Sequence, residues 1–456
     1  MSKTGLRSLW LAAAVAVGAM AVPGESGAQE TFAWDVSQYF RFNIWQVALD
    51  VNPSGDKTRV TAVFSVTDPT NCTNNDDPAT CAPWDIKNDP EFKQPQGLSR
   101  LAIDVGWNTT DYENTGSAGE FLQPLVPQGK GAGAALPISI NAVTASKPCN
   151  VVGAPAPCAA SPLPFSATKY FVQTDLPKQA TRTGVVAMEG HPAWPFTHGD
   201  GTTVWERVPV KSEFRYFAIT DSPVPRREIV AIEKCMVCHD GEVHHDGVVI
   251  PRLSLHGANR TEELRVCVIC HNPNQTDIPY RPAGAEVSID FKRMVHSIHA
   301  GGFRKTPFSV VGFQGAIVDF SAVRFPARLS NCLTCHVEAN GKGTFELPLA
   351  SAVLGSTVST GSTLAVPPAL GSVDVNPAND RKITPIAAVC SSCHDEAEAQ
   401  VHMSSRRQGG SFSALQSEIT SGRIKERCVD CHGPGRDKDI RKVHQVRADE
   451  LGYDFD

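Results

Sequence analysis

Ten of the 14 cysteines fall into five identical arrangements, each with two residues between the thiols and a histidine directly after the second. They are Cys235-Met-Val-Cys238-His239, Cys267-Val-Ile-Cys270-His271, Cys332-Leu-Thr-Cys335-His336, Cys390-Ser-Ser-Cys393-His394 and Cys428-Val-Asp-Cys431-His432. C-x-x-C-H is the attachment signature of a c-type haem. Two thiols add to the two vinyl groups of one porphyrin, the two-residue gap lets both reach, and the adjacent imidazole falls beneath the iron. Structural zinc uses paired CxxC but needs no His after it. A redox dithiol uses a single CxxC. Five out of five motifs ending in His favour haem over both. The expectation is five covalently bound haem c groups with proximal ligands His239, His271, His336, His394 and His432.

The sixth iron ligand decides the chemistry: two strong ligands suit electron transfer, and an open site binds substrate. Seven further histidines lie in the same region, His244, His245, His256, His296, His299, His402 and His444, where five are needed. His296 and His299 stand at i, i+3, on one side of a helix, and could serve two neighbouring haems. Methionine is scarce, with 6 in the chain; Met1 and Met20 lie near the N-terminus and Met236 inside the first motif. Most or all haems are therefore expected to be bis-His. His244 and His245, adjacent to Asp246-Gly247, read as a turn and stay as spare candidates for the first haem.

The elements that must position these groups divide the chain in two. Residues 1–28 read as a signal peptide, with Lys3 and Arg7 before the apolar run Leu9 to Val22 and small residues at Ser26-Gly27-Ala28. No later segment approaches the ~18 consecutive apolar residues of a membrane helix. Residues 29–225 hold no haem motif and read as a mostly β domain, a split β-barrel or sandwich. Val60, Ala62, Phe64 and Val66 alternate on one strand face; Leu101, Ile103, Val105 and Trp107 do so on another. Phe40 to Leu49, Leu136 to Val143, Lys169 to Gln173, Gly184 to Met188 and Phe214 to Ile219 are further strands. The remaining cysteines lie here, and an exported chain favours disulfides: Cys72–Cys81 and Cys149–Cys158, with crossed pairing open. Residues 226–456 form the pentahaem domain, mainly irregular and short-helical, with haems making up much of its core. Gly343 to Thr384, rich in Ser, Thr, Gly and Pro, reads as a surface excursion. With 42 Lys and Arg against 48 Asp and Glu, the formal charge is −6, which argues against nucleic acid as a partner.

The sequence resembles the outer-membrane multihaem cytochromes of the OmcA/MtrC type. The resemblance rests on Leu255-His-Gly-Ala-Asn-Arg-Thr-Glu262 before Cys267-Val-Ile-Cys-His-Asn-Pro273, on Phe291 to Gly301, and on Val311-Gly-Phe with Arg324-Phe-Pro-Ala-Arg-Leu-Ser-Asn-Cys332. His402-Met403 with Gly409-Gly-Ser-Phe412, and Cys431-His-Gly-Pro-Gly-Arg436 with Val443-His444, complete it. It implies closely packed bis-His haems behind a split β-barrel, with His256, His296, His299, His402 and His444 as distal ligands. It further implies delivery of respiratory electrons to extracellular metal oxides, metal complexes or flavins. The implied partners are other redox cytochromes and a porin–cytochrome complex, and the implied location is the outer-membrane surface, with the periplasm as the alternative. Well-known members carry ten haems in two halves where this chain has one half, and many are lipoproteins where this chain has no lipid-anchor Cys.

Two other functions fit the composition. A pentahaem reductase of the nitrite-reductase kind needs one open haem, usually marked by a changed proximal residue, and all five motifs here end in His. A cytochrome filament would self-assemble end to end, a distal His coming from the next subunit. The electron conduit, a non-enzyme beyond unselective reduction of metals or flavins, is the leading expectation.

Overall fold

Alternating apolar residues build two antiparallel sheets with one core between them. The computed structural model describes residues 33–447 apart from 52, 56–57, 94–97, 115–134, 162–166, 179, 198, 243–249, 282–283, 313–314 and 362–376. The signal-peptide region and the spare candidates His244 and His245 lie outside the described residues.

The first sheet comprises β1 (Arg41–Val51), β2 (Thr58–Cys72), β3 (Cys81–Pro83), β6 (Lys147–Pro148) and β7 (Tyr170–Asp175), in the order β1-β2-β7-β6 with β3 also on β2. The second comprises β4 (Arg100–Trp107), β5 (Ile138–Asn141), β8 (Thr183–His191) and β11 (Glu213–Ala218), in the order β11-β8-β4-β5. Strands β9 (Ala193–Thr197) and β10 (Thr203–Arg207) make a separate hairpin. Val60, Ala62, Phe64 and Val66 of β2 share a buried cluster with Leu101, Ile103, Val105 and Trp107 of β4. Side chains of a strand alternate between faces, so each quartet points inward together. Gly184 is required here, because a Cβ on it would lie 2.3 Å from the ring of Phe217 on the neighbouring strand.

Among the described residues the two sheets do not close into one barrel. They meet as a sandwich, and a bulge in β1 between Ile44 and Gln46 turns two carbonyls toward the second sheet. The Arg215 guanidinium on β11 donates to both, at 3.0 Å to Ile44 O and 2.6 Å to Trp45 O. Cys72 is bonded to Cys81, tying β2 to β3, and Cys149 to Cys158. The second disulfide packs on Val63 and Phe171, covering the outer face of the first sheet.

The outer face of the second sheet is covered by the haem-motif region. Val185 and Ala187 pack with Tyr112 against Val266, Val268 and Ile269 of the helix Leu264–Cys270. Asn114 bridges the two regions: its Oδ1 accepts from Trp107 N at 3.0 Å and its Nδ2 donates to Ile269 O at 2.8 Å. Gly106 lets the helix approach, since a Cβ there would meet Ile269 Cγ2 at 3.0 Å.

Beyond residue 226 the chain consists of short helices, small two-stranded pairings and irregular segments. Its largest apolar cluster of its own holds four buried residues, Ile383, Ala387, Ala388 and Met403, whereas the sandwich core holds 25. Gly343 to Thr384 departs from the surface excursion that its composition suggests. Ser356–Ser359 pairs with Arg381–Ile383, which pairs in turn with Ala414–Leu415. Ser356, Thr357, Asp380, Lys382 and Thr384 are buried. The Lys382 ammonium donates to Asn274 Oδ1 at 2.8 Å and Thr357 Oγ1 at 2.6 Å. Small polar residues read as loop from composition, yet here they are what fits a close sheet around a buried cation. Residues 362–376 lie outside the described residues.

Gly106→Val should force Ile269 and Asn114 away from β4, at a cost of about 1–3 kcal/mol. A lower thermal midpoint with faster proteolysis between the two regions is the expected result; an unchanged midpoint would show that Ile269 does not pack there.

Candidate haem-binding sites

Each of the five motifs makes the same turn. The amide of the motif His donates to the carbonyl of the first Cys, at 2.9 Å for His239, His271 and His336 and 2.8 Å for His394 and His432. That i, i+4 bond is one α-helical turn, which sets both thiols and the imidazole on one side of the backbone.

Every motif His is faced by a second His. Ring centroids lie 6.3 Å apart for His239 and His299, 5.9 Å for His271 and His256, and 6.0 Å for His336 and His296. They lie 6.1 Å apart for His394 and His444 and 6.3 Å for His432 and His402. A metal bonded to two imidazole nitrogens at about 2 Å each, with roughly 1 Å more from nitrogen to ring centre, needs roughly 6 Å. The spacing fits one iron between each pair.

The other ring nitrogen is held in most cases. Nδ1 lies within hydrogen-bond distance of a backbone carbonyl in His239 (Pro251 O, 3.0 Å), His271 (Ile289 O, 3.0 Å), His299 (Val295 O, 2.8 Å) and His432 (Lys438 O, 3.0 Å). His296 and His444 use the carbonyl four residues earlier, Lys292 O at 2.5 Å and Ile440 O at 3.1 Å, and His336 uses Thr344 Oγ1 at 3.1 Å. With Nδ1–H donated, the tautomer is fixed and Nε2 is free to bind metal. Burial lowers the pKa of His256, His271, His296, His299 and His444, and takes His336 down to about 3, keeping these rings neutral as ligation requires.

His296 and His299 stand on one helix, Phe291–His299, and face different motifs, His336 and His239. His256 sits in the turn between β12 (Ser254–Leu255) and β13 (Arg260–Thr261). His256, Gly257 and Ala258 all have positive φ, at 57°, 69° and 69°. Two non-glycine residues in the left-handed region cost of order 1–3 kcal/mol each and are found where function demands them. Asn259 Nδ2 holds the turn by donating to His256 O at 2.5 Å.

The motifs, numbered I to V along the chain, are neighbours in the order II–I–III–IV–V. Cys235 lies within electrostatic reach of Cys267 and Cys335, Cys332 of Cys393, and Cys390 of Cys428. Specific side chains fasten these contacts. Lys234, next to Cys235, donates to Leu333 O at 2.5 Å and His336 O at 2.9 Å in motif III. Arg293, on the histidine-bearing helix, donates to Ser391 Oγ at 3.0 Å in motif IV. Glu426, two residues before motif V, accepts from Thr384 Oγ1 at 2.6 Å and from Ile386 N and Ala387 N at 2.8 Å. It thereby caps the helix Pro385–Cys390 that leads into motif IV. Sequence reasoning missed these tethers, because a Lys, Arg or Glu beside a motif looks like any surface charge until its distant partner is known.

The alternatives to haem are less well served. Burial raises the thiol pKa of Cys235, Cys238, Cys267, Cys270, Cys332, Cys335, Cys390, Cys393 and Cys428, where a reactive dithiol has a depressed one. Among the described residues, no three His, Cys, Asp or Glu side chains converge as a zinc site requires.

Residues 227–445 match the family described as outer membrane cytochrome MtrC/MtrF-like, domains II/IV. This region is similar to the MtrC/OmcA-type cytochromes. The match spans all five motifs and all five facing histidines. That family implies covalently bound haem c, electron transfer, and an association with the outer membrane and extracellular electron transfer. No curated protein matches the chain. Among the described residues no helix is long and apolar enough to cross a membrane.

Glu426→Ala removes a carboxylate that accepts three hydrogen bonds, and hydrogen bonds to charged groups contribute about 1.5–3 kcal/mol. An unfolding free energy lowered by a few kcal/mol, seen as a lower denaturation midpoint and partly restored in Glu426→Gln, is expected. A midpoint equal to wild type would show that the cap contributes nothing.

Proposed function

We propose that this chain is a pentahaem electron conduit, with one haem c bound covalently at each of Cys235/Cys238, Cys267/Cys270, Cys332/Cys335, Cys390/Cys393 and Cys428/Cys431. The axial pairs are His239/His299, His271/His256, His336/His296, His394/His444 and His432/His402. The observation that carries this reading is that all five motif histidines, not four, have a second imidazole at the spacing an iron needs. A haem c at each site supplies one-electron Fe(III)/Fe(II) chemistry. The protein holds the rings, fixes their tautomers and excludes water, and those are the levers that tune a haem potential.

Saturated axial positions leave nowhere for a small substrate to coordinate, so the open-haem reductase has no support in the geometry. The small apolar core beyond residue 226 supports haems as the filling of a pentahaem domain, residues 226–456, behind a β domain, residues 29–225, after removal of residues 1–28. Electrons would pass along II–I–III–IV–V between a partner cytochrome, in a porin–cytochrome complex or outside it, and extracellular acceptors: metal oxides, soluble metal complexes or flavins. No step along this path requires a shaped substrate pocket, so reduction of such acceptors is unselective.

The test is spectroscopic. Purified protein should carry five haems by mass, every iron low-spin by EPR, and a reduced spectrum indifferent to carbon monoxide. One high-spin, carbon-monoxide-binding haem in the wild type would overturn the bis-His assignment at that site. His299→Ala should open a single site, motif I, giving one high-spin haem in five while leaving the other four unchanged; no change would assign the second ligand of motif I elsewhere.

A further inference from the structure

The face of β4 and β8 that looks away from the sandwich core carries charge where it meets motif II. Glu189 on β8 is 0% exposed. Its Oε1 accepts from Arg100 Nη2 at 3.3 Å, and its Oε2 is in contact with Arg260 Nε from β13. Asp104 is 1% exposed and sits diagonally across the β4–β8 ladder from Glu189, on the same face. Diagonal neighbours on one face of a ladder are within reach of each other's long side chains, and Asp104 Oδ1 accepts no hydrogen bond among the described residues. Arg260 lies within electrostatic reach of Cys267, Cys270 and His256, the attachment and facing residues of motif II.

The charged groups facing Glu189 are Arg100 and Asp104 from β4 and Arg260 from β13. His191, two residues further along the same strand, lies beyond Arg100 and is held neutral by burial, with its pKa down to about 3. Two arginines and two carboxylates balance when all are ionised. A second carboxylate on the same buried face disfavours the ionised form of Glu189. Burial, the largest cause, opposed by the two arginines, brings the Glu189 carboxyl up to about 7.

We propose that the Glu189 carboxyl, beside Asp104, is the proton acceptor coupled to reduction of the haem at motif II. The inference rests on the assignment of a haem to Cys267, Cys270, His271 and His256. The step balances simply. One electron arriving at motif II adds one negative charge behind Arg260, and one proton from solvent joins the Glu189 carboxyl, so the buried cluster keeps its net charge. Oxidation returns the proton. A nearby like charge raises a carboxyl pKa, so uptake accompanies reduction. The potential at motif II therefore falls as pH rises near neutrality, by at most about 59 mV per unit, the one-electron equivalent of a tenfold change in proton concentration. This gives the β domain a part in redox chemistry although it binds no haem.

The experiment is spectroelectrochemical titration of the five-haem protein at several pH values, for wild type, Glu189→Gln and Asp104→Asn. The expected result is one component of five with a negative slope in wild type that flattens in Glu189→Gln, haem content and low-spin spectra being unchanged. No pH-dependent component in wild type, or an undiminished slope in both variants, would overturn the proposal and leave the conduit standing; fewer than five attached haems would instead strike at the conduit. If Glu189→Gln does not fold, redox-difference infrared spectra of wild type labelled with ¹³C-glutamate decide. A protonated glutamate carboxyl band that appears on reduction supports the proposal, and its absence at pH values around 7 rejects it.

Discussion

A pair of imidazoles 5.9 to 6.3 Å apart, repeated five times, is the constraint to which the rest of the second half of this chain is fitted. With one iron between them, as proposed, neither ring of a pair could move by much more than the slack of a metal bond. Each must also present Nε2, which explains why so many Nδ1 atoms are tied to carbonyls. The backbone accepts unusual conformations to satisfy this, most clearly in the left-handed run at His256 to Ala258. Regular secondary structure is short here because ligand geometry, not strand or helix periodicity, fixes the path.

Rigidity is imported from two sources. The β-sandwich offers a sheet already stabilised on its inner face, and its outer face receives the motif II helix through Val185, Ala187, Val266 and Ile269. The second source is a set of charged side chains that each reach from one motif to the next, Lys234 to motif III and Glu426 to the helix leading into motif IV. Such bonds are partly shielded from water and directional. They fix spacing between sites in a way that apolar packing of four buried residues could not.

Much of this was legible in sequence. The motifs name their own chemistry, and the alternation in β2 and β4 identifies both strands and their inward faces. A sandwich was one of the two architectures foreseeable; that Arg215 bridges its sheets was not, because the bulge at Ile44 has no marker in residue type. Which histidine faces which motif was also hidden. His296 and His299 are three residues apart yet serve motifs III and I, and no local pattern encodes that crossing. The buried flanks of residues 343–384 were misread for a related reason: Ser and Thr look like loop until Lys382 is seen to need them.

The crossing has a consequence for how the molecule comes into being. A chain exported N-terminus first presents His256 before motif II, His296 before motif III and His402 before motif V. Those three sites have both rings available once their own motif emerges. Motifs I and IV must wait, the first for His299 and the fourth for His444. Motif I remains open on one side while motif II is being completed beside it, and is closed by the helix that also supplies motif III. Assembly is thus ordered by chain direction: site I, which neighbours both II and III, is sealed only when its neighbour's ligand is delivered on the same helix. On the proposed axial pairing, a chain interrupted between residues 271 and 299 would lack the second ligand of motif I, whereas one interrupted just after residue 336 would have both ligands for motifs I, II and III.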